Sequence, residues 1–136
     1  LRLPMKSFVL GVETANQFKA YPVSIFEKNK MIQDDVGITS LLLLAAHGND
    51  YLQVFDRNVG GQTLTFEGMT KKGNFKDNET GSDWNSLGLC VAGDYEGTQL
   101  IRVPHYNKIF WFVWADYHPD TEIHSDAEPV LSQAMA

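Results

Sequence analysis

The sequence has little cysteine and no long hydrophobic segment. Cys90 is the single cysteine among 136 residues, which excludes an intrachain disulfide, a Cys-x-x-Cys redox pair and a cysteine-based zinc site. The longest unbroken apolar run, from Leu41 to Ala46, is far shorter than the ~20 residues of a membrane-spanning helix. We therefore expect no membrane span and no fold that depends on disulfides.

Basic residues are also scarce. The chain has 11 Lys and Arg against 17 Asp and Glu, a formal net charge of -6, and its longest basic cluster is "MTKK". Because such a surface repels a phosphate backbone, the composition argues against a nucleic-acid partner.

The size and composition are those of a single globular domain. Hydrophobic residues make up 43% of the chain, and a chain of this length can bury a core without disulfides or a structural metal. We expect one domain over residues 1–124 and a C-terminal tail or partner-docking arm over residues 125–136, which have little to bury. The opening "LRLPMKS" lacks both an initiator methionine and an apolar signal core, so we expect a mature or trimmed form of a longer protein.

The first half of the chain reads mostly as strands. "FVLGVET" and "NQFKAYP" predict two strands, "PVSIFEKNK" predicts one or two helical turns with Ile25 and Phe26 facing inward, and "DDVG" predicts a turn. The segment from Thr39 to Ala46 is apolar without alternation, which is typical of a central strand covered on both faces.

A hairpin is the clearest local feature. "YLQVFDR" and "QTLTFEG" both alternate, and "NVGG" between them has the chemistry of a tight turn. This pattern places Leu64 and Phe66 on the buried face.

The second half is mixed. "GTQLIRVP" predicts a strand. In "NKIFWFVWADYHPD" we expect a helix capped by Asn107, with Phe110, Trp114 and Tyr117 on one face, which ends before Pro119. The predicted class is mainly β (α+β): a mostly antiparallel sheet, closed as a partly open barrel or a sandwich, with two or three short helices.

Two segments are candidate binding regions. "DNETGSDW" could bind a small polar ligand or a divalent cation through Asp77, Thr80 and Ser82 beside Trp84. Alternatively, Asp77 and Thr80 close turns while Trp84 packs in the core.

The aromatic run "IFWFVWADY" favours two interpretations equally. It forms either a docking surface that includes Phe110, Trp111 and Trp114, or one core-facing helix. Cys90, between Leu89 and Val91, is typical of a small buried hydrophobe rather than a reactive thiol.

Several motifs in order resemble one family. They are "LGVE", "KAYPVSI", "DDVG", "FDRNVGGQTLTFEG", "DNETGSDW" and "WADYHPDTEIH", spread over roughly residues 8–124. The chain resembles the bacterial domain-of-unknown-function family three-one-seven-nine, some of whose members are selenoproteins.

The resemblance also shows a departure from the family pattern. Between "DDVG" and "FDR" the family typically carries a C-P-x-C or U-P-x-C motif, which falls here on Ala46, His47, Gly48 and Asn49. Alanine and asparagine cannot exchange electrons as a low-pKa nucleophile and its resolving partner do. The redox chemistry that the motif implies therefore does not carry over to this chain.

His47 is the basis of an alternative. With Asn49 and Asp50 nearby, it could ligate a metal or haem iron together with His105, His118 or His124. No H-x-x-x-H spacing supports such a site, so a surface or hydrogen-bonded histidine is the simpler interpretation.

The functional expectation follows from these features. We expect a non-catalytic binding or subunit-interaction module on a redox-family scaffold, in a protein complex that can include an electron-transfer protein, with no cofactor predicted. The resemblance implies an extracytoplasmic location, periplasmic or secreted. The alternative is a metal-binding, haem-binding or enzymatic protein that uses His47 and nearby polar groups.

Overall fold

Short strands make up most of the chain in the computed structural model, which describes residues 2–15, 17–45, 51–70 and 72–125. The strands are β1 (Phe8–Glu13), β2 (Phe18–Pro22), β3 (Met31–Val36), β4 (Thr39–Leu44), β5 (Gln53–Asp56), β6 (Asn58–Val59), β7 (Gln62–Thr63), β8 (Phe66–Glu67), β9 (Phe75–Asp77), β10 (Asp83–Trp84), β11 (Cys90–Ala92), β12 (His105–Phe110) and β13 (Glu122–Ile123). A 3₁₀ helix spans Val23–Glu27 and helix α1 spans Trp111–Tyr117. The predicted mainly β class with short helices is confirmed.

The strands pair into open sheets. Their orders are β12-β1-β2-β13, β3-β4-β5, β6-β7 and β11-β10-β9-β8. All these pairs are antiparallel except β13 with β2, which is parallel. Within the described ranges no pairing joins the two edges of a sheet, so the sheets are open and do not form a closed barrel.

Strand β4 shows how the layers are stacked. Leu41 and Leu43 pack into the cluster that includes Leu10 of β1, while Leu42 and Leu44 point the other way, into the cluster around Trp84. Successive side chains of a strand face opposite sides of its sheet, so an unbroken apolar run fits a strand buried on both faces. The predicted central strand is confirmed.

The outer face of the first sheet is covered by α1. Trp111 and Trp114 of the helix pack on Val9 of β1 and Ala20 of β2. A Cβ at Gly11 would overlap the Trp114 ring, so glycine at this position lets the indole lie directly on the sheet.

Two further predictions are confirmed. Ile25 and Phe26 are buried in the 3₁₀ helix. The β6–β7 hairpin turns through Gly60 and Gly61, whose φ angles of 58° and 87° are those that a type I′ turn requires. Leu64, which follows the hairpin, is fully buried.

The predicted start of the last helix is wrong. Residues 105–110 form strand β12, which pairs with β1, and α1 begins only at Trp111, with Phe110 at its N-cap and no cap from Asn107. Pairing with β1 supplies hydrogen-bond partners for the backbone of residues 105–110. This pairing outweighs the helical period of the local sequence. The predicted end before Pro119 is confirmed, since His118 leaves the helical conformation (φ -132°, ψ 73°).

Two other local predictions are also corrected. "GTQLIRVP" forms isolated bridges, Leu89 with Gln99 and Phe55 with Arg102, instead of a strand, because its backbone hydrogen bonds are divided between the loop at Gly88 and strand β5. In "DDVG" the first three residues belong to β3, and the turn lies at Gly37 and Ile38, where Gly37 has a φ of 63°.

Candidate functional site

The predicted polar loop does bring its side chains together. Asp77, at the end of β9, accepts hydrogen bonds from the Thr80 backbone N–H, the Thr80 hydroxyl and the Trp84 indole N–H, the last at 2.9 Å. Thr80 Oγ1 lies 2.6 Å from Ser82 Oγ. The polar groups of this loop are therefore engaged with one another.

The electrostatics of Asp77 match this arrangement. Burial raises the pKa of its carboxyl, but the hydrogen bonds from Trp84, Thr80 and Gly81 outweigh burial and hold the pKa below its usual range. Asp77 and Trp84 are almost completely buried. This geometry is that of a closed turn over a core tryptophan, and ligand binding by Asp77, Thr80, Ser82 and Trp84 stays a prediction.

His118 lies elsewhere, at the end of α1. Its ring stacks on Phe18 with centroids 3.9 Å apart, and the Trp114 ring lies 4.3 Å away. His105 Nδ1 is 2.9 Å from the Val103 carbonyl oxygen. Among the described residues no group of three or more His, Cys, Asp or Glu side chains is arranged to hold a metal ion.

An aromatic cleft opens beside His118. It has a volume of about 280 Å³ and is lined by Tyr106, Ile109, Trp114, Tyr117 and His118. Trp114 is fixed there because its indole N–H donates to Thr121 Oγ1 at 2.8 Å. Tyr106 lies 5.8 Å from the Trp114 ring, centroid to centroid.

A β-bulge shapes this aromatic cleft. Tyr106 pairs with Gly11 and Ile109 with Val9, so two residues of β12 lie opposite Leu10. One of them, Lys108, has a φ of 52° and is the single non-glycine residue with positive φ in the described part of the chain. The extra residue brings Tyr106 and Ile109 to the same side of the strand, although their spacing would otherwise place them on opposite faces.

A second aromatic feature lies at the surface. Phe8, Phe110 and Phe112 form what we call the aromatic ridge: the ring centroids of Phe8 and Phe110 are 4.7 Å apart and those of Phe110 and Phe112 are 5.8 Å apart. Their exposed fractions are 46%, 38% and 41%. The ridge lies at β12, the edge strand of its sheet.

The three predicted interaction residues are thus divided between core and surface. Trp111 and Trp114 are each only 1% exposed, whereas Phe110 belongs to the aromatic ridge. The predicted helical face of Phe110, Trp114 and Tyr117 is wrong, because the helix buries Trp111 and Trp114 and leaves Tyr117 77% exposed. Contact with a partner stays a prediction.

Cys90 is buried, as the sequence indicates. Its side chain is 1% exposed and its Sγ donates to the Ala92 carbonyl oxygen at 3.4 Å. Burial raises the pKa of the thiol, and the charge of Asp77 adds to that rise. A buried, protonated thiol is a poor nucleophile.

One charged cluster was missed by sequence analysis. Asp34 Oδ2 accepts hydrogen bonds from Lys19 Nζ and the Tyr21 hydroxyl, both at 2.7 Å, and lies 3.6 Å from His124 Nδ1. Burial raises the pKa of Asp34, but the nearby His124 ring and the hydrogen bonds from Lys19 and Tyr21 outweigh burial and hold the pKa well below its usual range. The cluster joins β2, and His124 just after β13 of the same sheet, to β3 of another sheet.

Local signals for these unpredicted features were weak. Lys19 and Tyr21 share a strand face by their spacing of two, but nothing in the sequence pairs them with Asp34. Phe8 meets Phe110 only across the β1–β12 register. Tyr106 joins Ile109 in the aromatic cleft only through the bulge.

The loop on which the resemblance places the C/U-P-x-C motif lies outside the described residues. This applies to His47 and Asn49, and to Ala46, Gly48 and Asp50 beside them. The metal, haem and ligand roles predicted for His47 and Asn49 therefore stay predictions. From residue 126 onward, the predicted C-terminal arm also lies outside the described residues.

Comparisons with known proteins place the chain in a family. In the described part of the chain no helix is long and apolar enough to cross a membrane. Neither a curated protein nor a solved structure matched the chain. The family model described as "Protein of unknown function (DUF3179)" matches residues 1–121. The chain therefore belongs to the DUF3179 family, the family that its motifs resemble.

Proposed function

We propose that this protein is a non-catalytic binding or subunit-interaction module that works outside the cytoplasm. Its partner is another protein that presents an apolar surface, and the redox scaffold implied by the family resemblance favours an electron-transfer protein. The aromatic ridge is the observation that carries this proposal.

The ridge supports protein binding because it combines exposure with order. Phe8, Phe110 and Phe112 are each between 38% and 46% exposed and stack on one another. Large aromatic side chains supply much of the energy of protein interfaces, and contiguous exposed apolar patches commonly mark interaction sites. Met5, 53% exposed, precedes the ridge along the chain, and its carbonyl oxygen accepts a hydrogen bond from the Phe112 backbone N–H.

The edge of the first sheet adds to this surface. Strand β12 pairs with β1 on one side and is the terminal strand of its sheet. An edge strand offers backbone donors and acceptors to a partner chain. A partner seated on the aromatic ridge would therefore lie next to hydrogen-bonding groups as well as apolar rings.

The burial and raised pKa of the chain's single thiol support the proposal that the protein is not a redox catalyst. Cys90 is the single cysteine of the chain, and it is buried with a raised pKa. A dithiol exchange needs an accessible thiolate and a resolving thiol. The family resemblance implies that such a pair would stand at Ala46 and Asn49.

The proposal is tested by measuring the size of the native complex with wild-type chain, a ridge variant and a matched control variant. Phe110→Ser with Phe112→Ser should remove the chain from the complex seen by size-exclusion chromatography in extract of the native source. The matched control is Leu87→Ser with Val91→Ser, which changes two side chains that are 49% and 46% exposed in another part of the molecule. The control should stay in the complex.

Three outcomes would reject the proposal. One is a wild-type chain that is strictly monomeric and partnerless in its native compartment. Another is turnover of a disulfide substrate by the purified protein. The third is bound metal or a Soret band that is lost in His47→Ala, which would establish the alternative centred on His47.

A further inference from the structure

Met5 is the most exposed sulfur-containing residue in the part of the chain that the structure describes. It is 53% exposed, whereas Met31 and Met69 are partly buried and pack against the cluster around Trp84. The Cys90 thiol is buried, and burial raises its pKa. A soluble oxidant should therefore reach the Met5 thioether before the other described sulfur atoms.

Met5 is held in a fixed place at the start of α1. It lies in a turn that the Ser7 N–H closes by donating to the Pro4 carbonyl oxygen at 3.0 Å. The Met5 carbonyl oxygen accepts a hydrogen bond from the Phe112 N–H at 3.1 Å. The Ser7 carbonyl oxygen accepts one from the Trp111 N–H at 2.7 Å. Because the first N–H groups of a helix have no partner within the helix, these two bonds anchor the turn to α1.

This anchoring places Met5 beside the aromatic ridge. Phe112, whose backbone bonds to Met5, is one of the three ridge residues, and Phe8 follows Met5 by three positions in the chain. A standard protein interface covers about 800 Å² on each partner, which is more than three partly exposed Phe side chains supply. A partner that docks on the ridge would therefore also cover Met5, and methionine is enriched at such interfaces.

We propose that Met5 is an oxidation-sensitive residue of the docking surface, and that its conversion to the sulfoxide by a peroxide weakens partner binding. Because the aromatic ridge is that docking surface, this inference rests on the proposed function. In the reaction the thioether sulfur attacks the peroxide, the O–O bond breaks and an S–O bond forms. Sulfur loses two electrons and the peroxide is reduced by two, so that with hydrogen peroxide the second oxygen leaves as water.

Oxidation changes the chemistry of the surface and leaves the fold in place. The sulfoxide oxygen is a hydrogen-bond acceptor, and burying it against an apolar partner without a donor should weaken binding about 5- to 100-fold. An exposed side chain contributes little to the core, so the chain should stay folded. A bound partner covers the thioether, so the reaction takes place on the free chain.

The first test measures the order of oxidation in the purified full chain. After limited treatment with hydrogen peroxide, peptide mass spectrometry should detect the sulfoxide of Met5 before those of Met31 and Met69. In the isolated native complex Met5 should be oxidised more slowly than in the free chain, whereas Met31 and Met69 should react at unchanged rates. Met135 lies outside the described residues, and its peptide is measured separately.

The second test measures complex formation by the oxidised chain. Purified chain is treated with hydrogen peroxide, freed of it, and added to extract of the native source for size-exclusion chromatography. Oxidised wild type should be lost from the complex, and reduction by the two methionine sulfoxide reductases should restore it. Met5→Leu keeps an apolar side chain of similar volume and should stay in the complex after the same treatment. The matched control, Met31→Leu, keeps Met5 and should be lost as wild type is.

The outcomes separate this inference from the proposed function. Complete oxidation of Met5 that leaves wild type in the complex would overturn the inference and leave the role of the aromatic ridge intact. Loss of binding that Met5→Leu does not prevent, or oxidation of Met31 or Met69 ahead of Met5, would do the same. If the untreated chain forms no complex, or if Phe110→Ser with Phe112→Ser stays in it, the proposed function fails and the inference fails with it.

Discussion

The turn around Asp77 and the surface around α1 differ in what they do with their functional groups. At the turn, the carboxylate, hydroxyls and indole N–H are hydrogen-bonded to one another and buried. Around α1, two tryptophans are buried, while Tyr106, Phe110 and Tyr117 keep exposed ring area. At the turn the polar groups satisfy one another, whereas around α1 the aromatic rings outside the core keep part of their surface exposed.

The largest expected effect is on the helix side of this comparison. Trp114→Ala removes a ring that packs on Gly11, Phe18 and His118 and should lower the free energy of unfolding by about 3–5 kcal/mol. Chemical denaturation measures this change. Tyr117→Ala, on the same helix but 77% exposed, should change stability by no more than about 0.5 kcal/mol. Similar losses in both variants would contradict the division of α1 into core and surface.

A smaller loss is expected at the turn. Asp77→Ala leaves the Trp84 indole N–H buried without its acceptor and should cost about 2–3 kcal/mol in urea denaturation. The control is Asp83→Ala, which removes an exposed ion pair with Lys76 (3.1 Å) and should cost less than about 1 kcal/mol. If Asp77→Ala lowered the free energy of unfolding no more than the control does, Asp77 would not be an essential hydrogen-bond acceptor in this turn.

The lowered pKa values of Asp34 and Asp77 predict acid sensitivity. Because both carboxyls titrate lower in the folded protein than in the unfolded chain, their stabilisation is complete above the ordinary carboxyl pKa of about 3.9. It is lost progressively as pH falls below that value toward the lowered folded pKa values. Urea midpoints measured from pH 6 to pH 2 should fall in this window, with a shallower decline in Asp34→Asn and Asp77→Asn. If the urea midpoint declined with pH as steeply in both variants as in wild type, Asp34 and Asp77 would not be the source of the acid sensitivity.

The smallest effect is expected at the aromatic ridge. Phe112→Ser removes an exposed ring and one stacking contact, so stability should fall by about 0.5–1.5 kcal/mol at most. Thermal unfolding of the purified variant measures this. A much larger loss would mean that the ridge is part of the core, and the proposed interface would lose its basis.

Sequence patterns predicted the elements that depend on near neighbours. The apolar run over Leu41–Leu44 indicated a doubly covered strand, and "NVGG" indicated the hairpin, because side-chain period and turn conformation are local properties. The helix start at Asn107 failed for the opposite reason. Pairing of β12 with β1, about a hundred residues earlier in the chain, outweighed the local helical period.

The candidate sites divide in the same way. The sequence identified Asp77, Thr80, Ser82 and Trp84 as a group because they lie within eight residues of one another. Phe110 was expected at an interface, but its partners Phe8 and Phe112 emerged only from the β1–β12 register and the start of α1. The bulge that brings Tyr106 beside Ile109 has no equivalent signal in the sequence.

By itself, the sequence determined the mainly β class, the central buried strand, the glycine turns and the absence of a second thiol. These follow from composition and from contacts between residues close along the chain. Only the tertiary structure decided that Lys19 would neutralise Asp34, that the turn around Asp77 would use its own polar groups, and that rings from β1, β12 and α1 would form the aromatic ridge and the aromatic cleft. Each of these outcomes depends on which distant backbones pair, since strand pairing brings together side chains that no local pattern connects.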